Sequence, residues 1–410
     1  MRSGSIRYSL ILAIGVSLFP TADAWSGAGE SQYSDRIQAL LALTPSSITS
    51  SQALQNHFND IEMIVRETAR IGDLDTALSL AEKGTSLAPD QLRSTFLLGW
   101  IRGSMGRLEP AVDILRKALT SKTDRLPDPE GACKNEALTH LGGFLIQLGK
   151  NHEAVPYLEE ACAAKQSNPL PLYLLGEACH NLNETDKAES AFKSAFAKDP
   201  DLATPVDYLF FAWALDKKGK AREVHDLLNQ GIEAFPVAPA LHLNRGINQE
   251  ILSHTREAFF DYQLEILIEA QGPYADAARK RIERIERVQV TAGETDSLLK
   301  AVMEYLAHRK ENRKSEAEAN LAVMTQLDGL KSPYVIYICS EAMIERGQAP
   351  RAIEVLSAAL KEHPADFLLK ANLAEAYAKT DQKDQADMLI RELLIQAPDH
   401  WKLQQLLGPQ

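Results

Sequence analysis

The stretch Tyr173–Pro200, "YLLGEACHNLNETDKAESAFKSAFAKDP", decides how the rest of the chain is read. It reads as two helical runs joined by a turn at Asn183-Glu184-Thr185, and Pro200 closes the second run. Proline lacks an amide N–H and clashes with the preceding turn, so it ends a helix. The first run also carries adjacent Cys179 and His180. That pair is either the start of a metal or catalytic site or part of a structural unit.

The same phrase recurs. Leu141-Gly142 in "ALTHLGGFLIQLGKNHEAVPYLEEACAA" precedes Leu175-Gly176 by 34 residues, and Leu98-Gly99 opens an earlier copy. Each glycine is followed twelve residues on by an alanine (Ala111, Ala154, Ala188), and seven further by another (Ala118, Ala161, Ala195). Small residues at fixed helical spacing let two antiparallel helices approach closely, while larger ones fill the space beside them. This pattern resembles the tetratricopeptide repeat, a helix-turn-helix of 34 residues. Counting Pro169 as position 1, Gly176, Ala188 and Ala195 fall at the family's small positions. Leu172, Leu175 and Phe192 fall at its large ones, and Pro200 at its closing proline. Cys179 stands where an aromatic is usual, which makes it a packing residue.

Further copies begin at Phe367 (Leu373, Ala374, Tyr377, Ala386, Pro398) and Pro333 (Ala352, Ala359, Pro364). One over Tyr208–Pro236 keeps Phe211 and Ala212, one from Pro239 keeps Gly246, Ala258 and Tyr262, and a degenerate first copy holds Ala77 and Pro89. The resemblance implies an all-α fold, a right-handed superhelical solenoid of antiparallel helix pairs. Residues 25–57 read as an N-terminal helical cap and connector, and 58–270 as an array of about six units. That array has a long linker at 119–134, where "TDRLPDPEGAC" supplies loop residues. From 271 to 332 the register is lost, with one doubtful repeat, so a bend or boundary is expected there. Residues 333–410 hold two units and a C-terminal capping helix, "HWKLQQLLGPQ".

At the N-terminus, Arg2 and Arg7 precede an apolar run from Tyr8 to Phe19, then Pro20 and Ala22-Asp23-Ala24. This is the three-part layout of a secretory signal peptide, cleaved after Ala24, and it predicts export to the periplasm or outside the cell. The apolar run is short of the roughly 20 residues that span a bilayer, so no stable membrane span is expected after cleavage. The chain is 45% hydrophobic and 24% charged, a composition that folds. Its net charge of −12 argues against nucleic-acid partners, whose phosphates are met by Lys and Arg. The mixed segment Arg279–Lys314 ("ARKRIERIER", "HRKENRK") reads as a solvated face, or alternatively as a dock for an acidic partner.

No catalytic, nucleotide-binding or zinc signature is present, and the ten histidines share no ligand spacing, so neither enzyme activity, cofactor nor metal is expected. None of the four cysteines forms C-x-x-C. Cys133 lies before the first helix of its unit and Cys162 near the end of the second, ends that antiparallel packing brings together. An oxidising compartment would allow a disulfide between them, the alternative being two free thiols. Asn183 heads a glycosylation sequon, or is simply a turn asparagine.

In the family, positions 2, 5, 9 and 12 of each first helix face an inner groove. Carried over, these give Phe96 and Trp100; Tyr173, Glu177 and His180; Leu209, Trp213 and Asp216; and Leu243, Ile247 and Glu250. Tyr334, Tyr337 and Glu341 follow, and last Glu375. The groove so implied is aromatic and acidic. It suits an extended peptide segment with apolar and basic side chains, since flat surfaces and paired charges concentrate binding energy. It would also suit a polysaccharide, and the aromatics could instead pack between units. The function implied is an exported scaffold for protein–protein interaction in a cell-envelope or secretion assembly. The alternative is a glycan-binding accessory protein of exopolysaccharide export.

Overall fold

The computed structural model describes residues 30–164, 168–292, 296–327, 331–398 and 400–407; the expected signal peptide lies outside them. Among the described residues the regular elements are helices, joined by short turns, three of them 3-10. The chain divides into two compact units between Ala214 and Leu215. The division falls at residues 214/215, within the Pro205–Asp216 helix, and not in the irregular 271–332 section.

The first unit holds α1 (Glu30–Ala42) and four helix pairs: α2 (Ser51–Arg70) with α3 (Leu74–Leu87), and α4 (Leu92–Ser104) with α5 (Leu108–Leu119). The others are α6 (Ala132–Gln147) with α7 (Asn151–Ala163), and α8 (Leu170–Asn181) with α9 (Thr185–Lys198). The division falls in α10 (Pro205–Asp216). Helix α2 starts at Ser51 behind its N-cap, Ser50, whose side chain accepts from the Ala53 amide, so the first repeat begins before residue 58.

The second unit holds α11 (Ala221–Ala234), the pair α12 (Leu241–Ile251) and α13 (Thr255–Ile268), and a single long helix α14 (Pro273–Ala292) packed on α13. Three further pairs follow: α15 (Ser297–Lys310) with α16 (Lys314–Gln326), α17 (Pro333–Glu345) with α18 (Ala349–Glu362), and α19 (Phe367–Lys379) with α20 (Lys383–Gln396). Helix α21 (Trp401–Leu407) comes last. The doubtful repeat is thus a regular hairpin, α15 and α16. What breaks the register before it is the unpaired α14.

One turn joins the helices of every pair. Its central residue is left-handed: Gly72, Gly106, Gly149 and Asn183 in the first unit, and Ser253, Asn312, Gly347 and Asp381 in the second. The next amide reaches back to the carbonyl five residues earlier, as in Glu184 N–H to Cys179 O (2.9 Å) and Arg313 N–H to His308 O (2.8 Å). This closes the first helix and satisfies a carbonyl that would otherwise lack a partner.

The fixed turn brings four first-helix glycines against the residue sixteen positions later. A Cβ built on Gly99 would lie 2.9 Å from Leu115. The corresponding approaches are 2.5 Å for Gly142 to Leu158, 2.7 Å for Gly176 to Phe192 and 2.6 Å for Gly246 to Tyr262. Those distances are below any real Cβ contact, so the pairs hold only because the side chain is absent.

The long linker of the first unit is tied down rather than loose. Gln91 is buried; its Nε2 donates to Asp124 Oδ1 (2.8 Å), and its Oε1 accepts from the amides of Arg125 (3.1 Å) and Leu126 (3.2 Å). Leu92 N–H donates to Lys122 O and Lys122 N–H to Asp90 O. Leu126 is fully buried, and Asp128 accepts from the amides of Cys133 and Lys134 at the start of α6. The extra residues therefore keep their backbone hydrogen bonds.

Two alanine substitutions separate the two constraints. Gly142→Ala places a methyl on Leu158 and is expected to destabilise the protein by about 1–3 kcal/mol, the usual cost of overpacking. Gly149→Ala meets nothing within 4 Å and is expected to cost about 1 kcal/mol through its left-handed backbone alone. Equilibrium urea unfolding checks both; equal stability of Gly142→Ala and wild type would contradict the close-approach account.

Candidate functional site

The structure corrects the expected aromatic groove. Phe96 and Trp100 are buried (0% and 1% exposed), stacked on each other and tilted against His140. The Arg66 guanidinium lies 5.9 Å from the Phe96 ring centre and 5.6 Å from that of Trp100. Arg66 also pairs with Glu62 (2.9 Å) and Glu136 (2.9 Å), and Arg93 reaches Glu62 as well. Burial pushes Glu62 up, but the two arginines outweigh it and hold its carboxyl below the usual range. Glu136, with one arginine, is raised by its burial. This is a buried charge cluster linking three helices, and two of the expected binding aromatics form its walls.

Tyr173 is likewise buried, its hydroxyl donating to Asp199 O (2.9 Å) and its ring meeting Phe196 edge-on. His180 behaves differently. It is half-buried and stacks on Phe210 (centroids 4.0 Å, planes 20° apart), with Trp213 meeting it edge-on at 4.4 Å. Phe210 and Trp213 are also half-buried, as is Glu177 one turn before His180. Burial holds His180 below its ordinary value, so its ring is neutral and serves as an aromatic plate. Cys179 faces the other way and is fully buried, so Cys179 and His180 do not form one site. The sequence reading missed Phe210; its place one turn from Trp213 on the same helix was the available signal. Asp216 is exposed at the end of α10.

In the second unit Tyr334 is buried against Phe260 (5.4 Å). Glu250 is occupied, accepting from Tyr262 and pairing with Arg281 (3.0 Å) and Arg284. Tyr337 is buried too, and its hydroxyl donates to Glu341 Oε1 (3.1 Å). Against these two residues lies a side chain from α21. Lys402 Nζ stands 3.0 Å from Glu375, 3.5 Å from Glu341 and 5.5 Å from the Tyr337 ring centre. Glu341 and Glu375 are 34 residues apart, the same position of successive repeats.

A cavity of about 640 Å³ also opens in the second unit. On its wall Arg245 makes two bonds to Asp261 (2.8 and 2.6 Å) and one to Asn229 (2.9 Å), while His242 Nδ1 lies 3.1 Å from Asp261. Burial acts upward on Asp261, yet the Arg245 guanidinium outweighs it and keeps the carboxyl below its ordinary value. Gln249 Oε1 and His225 Nδ1 are buried there without a hydrogen-bond partner.

The expected Cys133–Cys162 bridge is not formed, and all four thiols are free. Burial pushes both the Cys133 and the Cys162 thiols up from their ordinary value. Cys339 is buried as filler. Among the described residues no group of three His, Cys, Asp or Glu side chains is placed to hold a metal ion. Nor is any helix among them long and apolar enough to cross a membrane.

Comparison with known proteins matches models described as tetratricopeptide repeat at residues 92–125, 145–209 and 343–408. No curated protein matches the chain. Among solved structures, residues 41 to the end of MamA from Desulfovibrio magneticus RS-1 are 19% identical, covering 43% of this chain and 94% of that one, with a TM-score of 0.36. YrrB, described as a TPR protein with an unusual peptide-binding site, is 18% identical over 46% of this chain and 87% of its own, with a TM-score of 0.35.

The His140 ring gives a pH test of the buried cluster. Its burial, aided by Arg66, lowers it from 6.5 to about 3. As pH falls below 6.5, the unfolded chain takes up a proton that the folded chain refuses, so stability is lost toward acid. His140→Phe is expected to flatten the pH dependence between 6 and 4 by close to one proton, roughly 1.4 kcal/mol per pH unit. Urea titrations at pH 6, 5 and 4 measure it; parallel slopes for the two proteins would contradict the buried neutral imidazole.

Proposed function

Because the chain is a tetratricopeptide-repeat protein, we propose that it is a protein-interaction scaffold and that its work is binding rather than catalysis. The surface proposed is the half-open aromatic cluster of His180, Phe210 and Trp213 in the first unit. The observation that carries this reading is selective burial. The other expected aromatics are buried, while His180 stacks on Phe210, meets Trp213 edge-on, and all three stay partly open to solvent. Stacked rings of this kind are rigid and amphipathic, which suits them to anchor an apolar side chain at little entropic cost. The partner proposed is an extended peptide segment carrying apolar and basic side chains, with Glu177 on the preceding turn favouring the basic ones.

The place of action proposed is the cell envelope. Its support is the N-terminal sequence, with Arg2 and Arg7, the apolar run and Ala22-Asp23-Ala24. Export is tested directly by fractionating cells and reading the N-terminal residue of the processed chain. Trp25 at the N-terminus of an exported form is expected, and an uncleaved cytoplasmic chain would defeat this part.

Binding is tested with full-length protein against a library of extended peptides and, in parallel, envelope oligosaccharides. Peptides retained by wild type are expected to bind Trp213→Ala about tenfold or more weakly, with melting temperature little changed, as for a central aromatic anchor. Unchanged peptide binding would remove the site. Oligosaccharide retention that depends on Trp213 while no peptide binds would replace the scaffold reading with glycan binding.

A further inference from the structure

Helix α21 does two different things at the end of the second unit. Leu403 is fully buried, which is what capping an open repeat stack requires. Lys402 is buried as well, its side chain only 5% exposed, and it points to a different place. Its ammonium lies between Glu341 and Glu375, over the face of Tyr337 and 5.7 Å from the Trp401 ring centre. Taking an ammonium out of water costs several kcal/mol unless carboxylates and ring faces compensate it. An apolar residue would cap the stack without that cost. The lysine is therefore met by a site suited to a cation.

The site is a product of the repeat. Glu341 and Glu375 occupy one position of α17 and α19, so the period itself sets two carboxylates side by side, and the Tyr337 hydroxyl orients the first of them. The occupant is weakly held by its own structure. Seven residues form too short a helix to persist without docking. Trp401 is 39% exposed and is tethered through one indole N–H to Leu267 O (3.2 Å). Both ring nitrogens of the buried His400 lack hydrogen-bond partners. Imperfect satisfaction of this kind marks a segment that opens at low free energy.

We propose that Tyr337, Glu341 and Glu375 form a lysine-recognition site for a peptide bearing an aromatic-lysine pair, and that residues 400–407 occupy it within the same chain. The C-terminal segment is a tethered competitor. Linkage gives it a high effective concentration, so an outside peptide binds only when the segment is displaced or weakened. This site is separate from the Trp213 cluster, and Trp213→Ala leaves it intact.

The test uses full-length protein and a fluorescein-labelled synthetic peptide, His-Trp-Lys-Leu-Gln-Gln-Leu-Leu, matching residues 400–407. The Trp401→Ala/Lys402→Ala variant is expected to bind it at least tenfold more tightly than wild type. Adding Glu341→Gln/Glu375→Gln is expected to abolish that gain, and a peptide with norleucine in place of lysine to bind at least tenfold more weakly. Equal binding by wild type and the double variant, or equal binding of the lysine and norleucine peptides, overturns the proposal and leaves α21 as an apolar cap. Circular dichroism reports whether the double variant folds. If it does not, hydrogen exchange on the otherwise native Glu341→Gln/Glu375→Gln chain decides. At least tenfold faster exchange in 401–407 with α20 unchanged supports the site, and unchanged exchange in 401–407 rejects it.

Discussion

The contact between a first-helix glycine and the residue sixteen positions later is the constraint that fixes four of the helix pairs. Two helices can lie this close only where one offers no side chain at the crossing. The residue that fills the gap must then sit at a fixed place on the second helix, and the left-handed turn between them delivers it there. Leu115, Leu158, Phe192 and Tyr262 differ in size, yet each meets its glycine at the same offset. Geometry is held constant while the filler varies.

That economy has a consequence for the aromatic residues. Once a pair is closed, its remaining apolar surface must be covered by the next pair, and the largest rings are the most effective cover. Phe96, Trp100, Tyr173, Tyr334 and Tyr337 all go to this use. What stays partly open is a histidine stacked on a phenylalanine. Buried ions such as Arg66 with Glu62 and Glu136 contribute little net stability for their desolvation, but they fix which helix faces which.

Much of the fold was legible because the repeat writes its geometry as residue size at fixed spacing. Gly176, Ala188, Ala195 and Pro200 were enough to place two helices and their turn. The hairpin of α15 and α16 was hard to see because the unpaired α14 shifts the count before it. The candidate surfaces were less legible. Position in a repeat says which side of a helix a residue occupies, but Tyr337 and Trp213, at two of the four groove positions, differ in burial. What separates them is the neighbouring pair, and in one case a lysine from the far end of the chain. No local pattern around Tyr337 or Glu341 carries that information.

The linker held by Gln91 bears on how such a chain changes length over evolutionary time. A stack of identical modules leaves little room for insertions, since every connection must return the chain to the same place. Here one buried amide side chain accepts from two amides of the inserted backbone and donates to the Asp124 carboxylate, while Leu126 is fully buried. An inserted loop then becomes an ornament on an unaltered frame. Its outer residues are free to diversify, provided that Gln91, Leu126 and Asp128 stay where they are.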